Sequence, residues 1–321
     1  MRIELAPMEG ITTYVYRNAF FKYYGGVETY FSPFISTHKD KELNFKEKKE
    51  IRPENNEGID LIPQVLTANA DEFIYTSGQI AKYGYNHINI NFGCPSGTVT
   101  TKGKGSGALL DTDKLTAFLD DIFSQTDLKI SVKTRMGYSD PSEFDKLIKI
   151  YEKYPLEELI VHARVREDFY NGNARVEELA GVDLSKVRLS YNGDIYSVDD
   201  FERICERFPG LEAVMIGRGI ISRPWLASQI NSTMTKEKVS DISTEEGLQV
   251  FKSFNRELVN GYDAIMPGEK NTLFKLKELW VYMIKPFEQE ECIKDINAKK
   301  LLKSIRKCNS LSEYNNIISS L

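Results

Sequence analysis

Eight short apolar or β-branched runs punctuate the first two thirds of this chain, at residues 3–7, 29–35, 61–66, 87–91, 130–135, 159–162, 189–192 and 213–216. Each is followed by polar punctuation, and helical periodicity fills most of the intervals, over 14–23, 71–83, 113–124, 142–153, 198–207 and 224–230. Strands joined through helices run parallel, because a two-residue hairpin connects only antiparallel neighbours. Eight such repeats within about 250 residues predict an α/β fold, a closed (β/α)8 TIM barrel. A doubly wound open sheet has fewer strands as a rule and opens on a Gly-x-Gly-x-x-Gly turn; none follows the first run here.

Beyond residue 231 the pattern changes. Ser, Thr, Lys and Asp dominate 232–244, which reads as a linker, and long helical periodicities follow over 244–262, 273–284, 294–307 and 312–318. The expected organisation is a catalytic barrel over 1–235 and a small all-helical domain over 240–321. Residues 270–307 hold ten Lys and Arg against five Asp and Glu, with Trp280, Tyr282 and Phe287 among them. That composition suits either an RNA-facing surface or a solvated helix face over an aromatic core.

In a barrel of this kind the loops at the carboxyl ends of the strands build the site. Seven of the eight runs deliver polar or small residues there: Met8 and Glu9, Gln64, Asn91 with Cys94, Lys133 with Arg135, His162 with Arg164, Asn192-Gly193-Asp194, and Gly217-Arg218-Gly219. Gly193, Gly217 and Arg218 follow the last two strands, where glycines let backbone N–H groups approach a cofactor phosphate. Lys133 points a cation into the mouth. Its partner is an electron-rich group, such as the pyrimidine edge of a reduced flavin, or an internal carboxylate, Glu9 or Asp194. His162 is a cofactor hydrogen-bonder or a satisfied core histidine.

Around Cys94, alternation sets Ile88 and Ile90 against Asn89 and Asn91, and Gly93 and Pro95 break the ladder. A thiol there is a small core hydrophobe or part of a reactive rim. With an ordinary pKa of about 8.5 it is a proton donor near neutral pH, and no partner base marks it as a nucleophile. The loop 100–107, Thr-Thr-Lys-Gly-Lys-Gly-Ser-Gly, is glycine-rich and basic without the Walker spacing, and reads as a mobile lid.

Composition narrows the rest. Hydrophobic residues make up 41% and charged residues 28%, as in an ordinary soluble globular protein. No apolar run approaches the roughly 20 residues of a membrane span, and the N-terminus lacks a signal-peptide pattern. A cytoplasmic, membrane-free protein is expected. Cys94, Cys205, Cys292 and Cys308 show no Cys-x-x-Cys spacing, so neither a metal site nor a disulfide framework is indicated. A net charge of −5 argues against a wholesale basic nucleic-acid binder.

Taken together, the motifs resemble the tRNA-dihydrouridine synthases. They are LAPMEGIT (5–12), Gln64, INFGCPSGTV (90–99), GSGALL (105–110), SVKTRMG (131–137), VHAR (161–164) with YNGNA (170–174), YNGDI (191–195) and MIGRGIISRPWL (215–226). The resemblance implies an FMN-dependent enzyme that reduces specific uridines in tRNA to 5,6-dihydrouridine with hydride derived from NADPH. It implies that Pro7, Met8, Gln64, Lys133, His162, Asn192, Asp194, Gly217 and Arg218 line the flavin. Asn91 and Tyr170 would hold an extruded uracil, Cys94 would be the acid, and Arg135 and Arg164 would meet phosphates or the uracil edge. The expected partner is tRNA, bound by a monomer without metal. The sequence departs from the family pattern at Thr98, where Lys is usual, and at Val165, where Thr is usual. Alternatives are an FMN oxidoreductase acting on a free dihydropyrimidine-like molecule, a synthase acting on rRNA, and a non-catalytic RNA binder.

Overall fold

A computed structural model describes residues 1–37, 42–183, 185–235, 241–289 and 296–321. Ten strand segments pair in parallel in one continuous sheet. Two barrel strands are each split by a proline, which cannot donate to the ladder. Pro33 divides the second strand into Thr29–Phe31 and Ile35–Ser36, and Pro63 divides the third into Leu61–Ile62 and Gln64–Leu66. Both halves stay paired in parallel, with the register slipping by one residue between them: Tyr30 lies against Leu61 and Ile35 against Val65. The Ser32 hydroxyl accepts from the Gln64 amide at 3.0 Å, supplying an acceptor where the ladder is broken.

With these halves joined, the circuit closes. Arg2–Leu5 pairs with the second strand on one side and with Ala213–Ile216 on the other. His87–Phe92, Lys129–Gly137, Glu158–Val165 and Leu189–Asn192 complete eight strands. Ala6, Phe31, Ile62, Ile160 and Met215 form an inner buried cluster separate from the outer core. Such a filled interior is a packed centre rather than a pore.

The outer helices follow sequence signals. Asn69, Asp111 and Ser197 each accept an N–H three residues on, capping Ala70–Ala81, Thr112–Gln125 and Val198–Arg207. A helix over Phe45–Ile51, capped reciprocally by Asn44 and Glu47, was not anticipated from the sequence.

Leu226–Thr235 continues as helix into the expected linker, whose residues 236–240 lie outside the described residues, as does Cys292. The tail comprises Glu245–Asp263, Glu269–Met283, Lys285–Gln289, Ala298–Lys307 and Leu311–Ser319. It shares one core with the barrel. The Phe254 ring meets Tyr16 edge-on at 5.8 Å and Tyr24 at 5.3 Å, and Tyr262 hydrogen-bonds Thr13 at 2.9 Å. Trp280 is fully buried and donates to Tyr314 at 2.8 Å. Of the tail aromatics weighed as an RNA surface, Trp280 and Phe287 belong to the core.

Candidate active site

The fourth strand sets the site. Asn91, Gln64 and Asn89 form an amide chain inside the barrel: Asn91 donates to Gln64 at 2.8 Å, Gln64 to Asn89 at 2.7 Å, and Asn89 to Ser131 at 2.9 Å. Asn91 Oδ1 accepts the backbone N–H groups of Gly93 at 3.0 Å and Cys94 at 2.9 Å, turning the chain out of the strand. On the other side, the Cys94 carbonyl accepts from Ser106 N at 3.1 Å and Ser106 Oγ at 2.8 Å. Cys94 is thus held fore and aft.

The glycine-rich loop is a clamp rather than a lid. Gly105, Ser106 and Gly107 are buried, and Lys104 reaches Glu72 at 3.3 Å. Thr101 and Lys102 form an exposed crest. Burial pushes the Cys94 thiol above its ordinary pKa, outweighing the cations Arg135 and Lys133. The thiol therefore stays protonated at neutral pH.

Lys133 lies on the floor of the mouth and donates to Asn192 Oδ1 at 2.8 Å. Neither carboxylate considered from the sequence reaches it: Glu9 pairs with Lys46 at 3.4 Å, and Asp194 is taken by arginines. Burial and the neighbouring Arg135 pull the Lys133 pKa down to about 7. Arg135 uses Nε on the Gly93 carbonyl at 2.9 Å and Nη1 on the Val165 carbonyl at 2.8 Å. Its Nη2 is buried without a hydrogen-bond partner.

His162 Nε2 lies 3.3 Å from Arg164 Nη1. A guanidinium only donates, so Nε2 accepts and Nδ1 carries the proton. Burial, with Arg135, Lys133, Arg164 and Arg218 around it, holds the imidazole neutral. Tyr170 stands over the cleft between two guanidinium groups, Arg218 at 4.9 Å and Arg135 at 5.5 Å from the ring centre.

The loops after the last two strands demand glycine. A Cβ on Gly193 would fall 2.1 Å from the Tyr191 hydroxyl, and one on Gly219 would fall 2.0 Å from the Ile195 carbonyl. Arg218–Ser222 starts a short helix directly after Gly217, leaving its first N–H groups without intrahelical acceptors.

These elements enclose a cleft of about 520 Å³. Pro7, Met8, Asn91, Cys94, Lys133, Arg135, His162, Tyr170 and Arg218 line it. A smaller lobe of about 60 Å³ shares Lys133 and His162 and adds Asn192, Gly193 and Gly217. Three expected contacts are displaced. Gln64 is fully buried beneath Asn91. Arg164 and Asp194 sit behind the wall: Asp194 accepts from Arg164, from Arg218 at 2.7 Å and from Ala174 N at 3.1 Å. Arg164 also donates to the carbonyls of Asn171 and Gly172, so the pair positions Arg218 and the Tyr170 loop.

Glu278, Val281 and Tyr282 from the tail complete the cleft; of these the sequence marks only Tyr282, as a tail aromatic rather than as part of the cleft. The helical period of Glu269–Met283 identifies a buried face but not which barrel loop that helix leans over.

The unpartnered Arg135 Nη2, a Lys133 lacking a carboxylate and a glycine-walled lobe fit a planar anionic group that carries a phosphate. Among the described residues no group of three or more His, Cys, Asp or Glu is placed to hold a metal ion.

A (β/α)8 barrel with a cationic floor, a glycine lobe and a protonated thiol on one rim has the make-up of a barrel enzyme, with a cleft whose lining suits an anionic, planar group. Residues 4–306 match the Dihydrouridine synthase (Dus) family, and the chain belongs to that family. A tRNA-dihydrouridine(16) synthase of Ralstonia nicotianae is 30% identical over 244 residues, 74% of each chain. One of Pseudomonas putida is 29% identical over 266 residues, 80% of this chain and 81% of the other. A tRNA-dihydrouridine synthase B of Pasteurella multocida is 28% identical over 240 residues, 74% and 71%. The resemblance read from the motifs agrees with these matches.

Proposed function

We propose that this enzyme reduces uridines in tRNA to 5,6-dihydrouridine on bound FMN, with NADPH as reductant. One observation carries the chemistry: a thiol kept protonated by burial is clamped on the rim of the same cleft whose floor holds a cation without a carboxylate. Pro7, Met8, Lys133, His162 and Asn192 would hold the flavin ring, and Gly193, Gly217 and Arg218 its phosphate. Gln64 and Asp194 support those contacts from behind. The flavin, when bound and reduced, supplies the hydride that adds to C6 of the uracil.

The chain's own residues do the rest. Asn91 retains one amide hydrogen beyond its bond to Gln64, and Arg135 Nη2 is a free donor. Both are suited to uracil carbonyls, with Tyr170 as the ring wall. Cys94 transfers its S–H proton to C5, which completes saturation of the C5–C6 bond, and the thiolate is reprotonated from solvent. The uridine has to leave its stack to reach this depth.

The relatives' names supply tRNA as the RNA. The helices beyond residue 240 form the RNA-recognition domain in this reading. Ala298–Lys307 exposes Lys299, Lys300, Lys303, Arg306 and Lys307 along one side while burying Leu301 and Ile305. The enzyme works as a cytoplasmic monomer. No described helix is long and apolar enough to cross a membrane.

Mass spectrometry of tRNA and rRNA from cells with and without the gene tests the proposal. A uridine in tRNA that gains two hydrogens only when the gene is present is expected. Identical tRNA from both strains, or a gain in rRNA alone, would overturn it.

A further inference from the structure

Tyr138, Arg166 and Phe169 cluster next to Tyr170 of the cleft wall, outside the chemistry proposed above. The Arg166 guanidinium lies 5.1 Å from the Tyr138 ring centre and 4.8 Å from that of Phe169, a cation between two rings. Its Nε is buried with no hydrogen-bond partner. Phe169 is 41% exposed and is the one described residue other than glycine with a positive φ, at 51°.

A left-handed backbone is unfavourable for a residue with a bulky side chain, so something must hold it. The turn is over-determined. Phe169 N donates to Arg166 O at 3.1 Å, and Asn171 N donates to Asp168 O at 2.8 Å. The Asp168 carboxylate accepts from Val165 N at 3.0 Å and from Arg175 Nη2 at 2.8 Å. Arg166 N and Glu167 N are anchored on the carbonyls of Gly137 and Tyr138, each at 3.0 Å. The phenyl ring is held outward rather than left there by a loose loop.

Tyr170, the next residue, is 52% exposed and lines the cleft between Arg135 and Arg218. A strand that delivers a base past Tyr170 runs over Phe169. Extruding one nucleotide also deprives its neighbour of a stacking partner. An aromatic face backed by a guanidinium restores that stacking irrespective of base identity, and nearby arginines suit the strand's phosphates. The apolar surface offered is a single ring with one guanidinium, Arg166, against it and the cleft aromatic Tyr170 beside it, which matches a nucleobase better than an apolar protein face.

The geometry points to Phe169 as the stacking platform for the nucleotide next to the reacting uridine. This rests on RNA being the substrate. The test uses the full-length, flavin-loaded protein and an RNA hairpin with a loop uridine flanked, in separate molecules, by 2-aminopurine on either side. Wild type should quench one of the two probes. Phe169→Leu should lose that quench and raise the KM for unmodified tRNA about tenfold, the size expected of one stacked base. Phe169→Trp should restore both, and the flavin spectrum and melting temperature should stay unchanged in both variants. If Phe169→Leu quenches and binds like wild type while wild type reduces tRNA, the platform falls and the RNA reading stands. If wild type itself neither binds nor reduces RNA, both fall.

Discussion

Lys133 donates a 2.8 Å hydrogen bond to Asn192 across the mouth of the barrel, and no carboxylate among the described residues pairs with the same ammonium. Its pKa near 7 follows from that isolation, burial being the larger cause and Arg135 the second. An anion docking there restores the charged form. Below pH 7 the ammonium already carries its proton, so binding takes up none. Above pH 7 binding draws a proton in, and affinity falls as pH rises. Anaerobic calorimetry of the binding of reduced FMN, whose ring carries negative charge near N1, at pH 8 in two buffers of unlike ionisation heat should show uptake of up to about one proton. Lys133→Met should abolish the uptake and weaken binding by about tenfold or more. Equal heats in both buffers for wild type would remove Lys133 from the cofactor floor.

Cys94→Ala should keep the flavin absorbance and lose turnover by roughly 10²- to 10⁴-fold, the usual contribution of a positioned acid. The raised thiol pKa also sets a profile. An acid works below its pKa, so wild-type turnover should hold level through the ordinary thiol range near 8.5 and decline only above it. Full turnover by the alanine variant would end the assignment.

The barrel was legible because each strand carries its own apolar run, and Lys133, Cys94 and the glycines of the last two loops were legible because strand ends build the site. Partner choice was not. The sequence shows Asp194 beside Gly193, but only the fold shows that it faces Arg164 and Arg218 rather than the cleft. Gln64 stands at a strand end like the others and is nevertheless sealed under Asn91. Glu278 and Tyr282 come from the helix Glu269–Met283, whose placement depends on long-range contacts such as the 2.7 Å hydrogen bond from Lys275 Nζ to the Gly10 carbonyl, which no local period encodes.

At the opposite end of the barrel, Glu158 and Glu4 are both buried, with Arg2 reaching Glu158 at 2.6 Å and Glu4 at 3.4 Å. Burial first, and Glu4 second, raise the Glu158 pKa well above the carboxylate range. The folded protein then keeps a proton that the unfolded chain releases. Stability is full below the unfolded pKa, roughly 4.3, and declines as pH rises toward the folded value, by about 1.4 kcal/mol per unit for one proton. Glu158→Gln should flatten this slope, leaving pH 4 unchanged and stabilising the protein at pH 8. Urea unfolding at both pH values measures it, and an unaltered slope would contradict proton retention by Glu158.

Gly105 and Gly103 offer a matched pair for testing whether the loop clamps Cys94. Both have positive φ, +56° and +67°, so alanine suffers comparable backbone strain at either position, about 1 kcal/mol. Their surroundings differ. A Cβ at Gly103 meets nothing within 4 Å, whereas one at Gly105 falls 2.8 Å from the Cys94 carbonyl oxygen and 3.0 Å from Cys94 Cβ. Relief at Gly105 requires that the Cys94 backbone move, and an acid misplaced by about 1 Å can lose on the order of 10² in rate. Gly105→Ala should therefore cut kcat far more than Gly103→Ala, and lower the melting temperature further by the cost of the added clash, with flavin retained in both. Equal kcat in the two variants would mean that the loop touches Cys94 without positioning it.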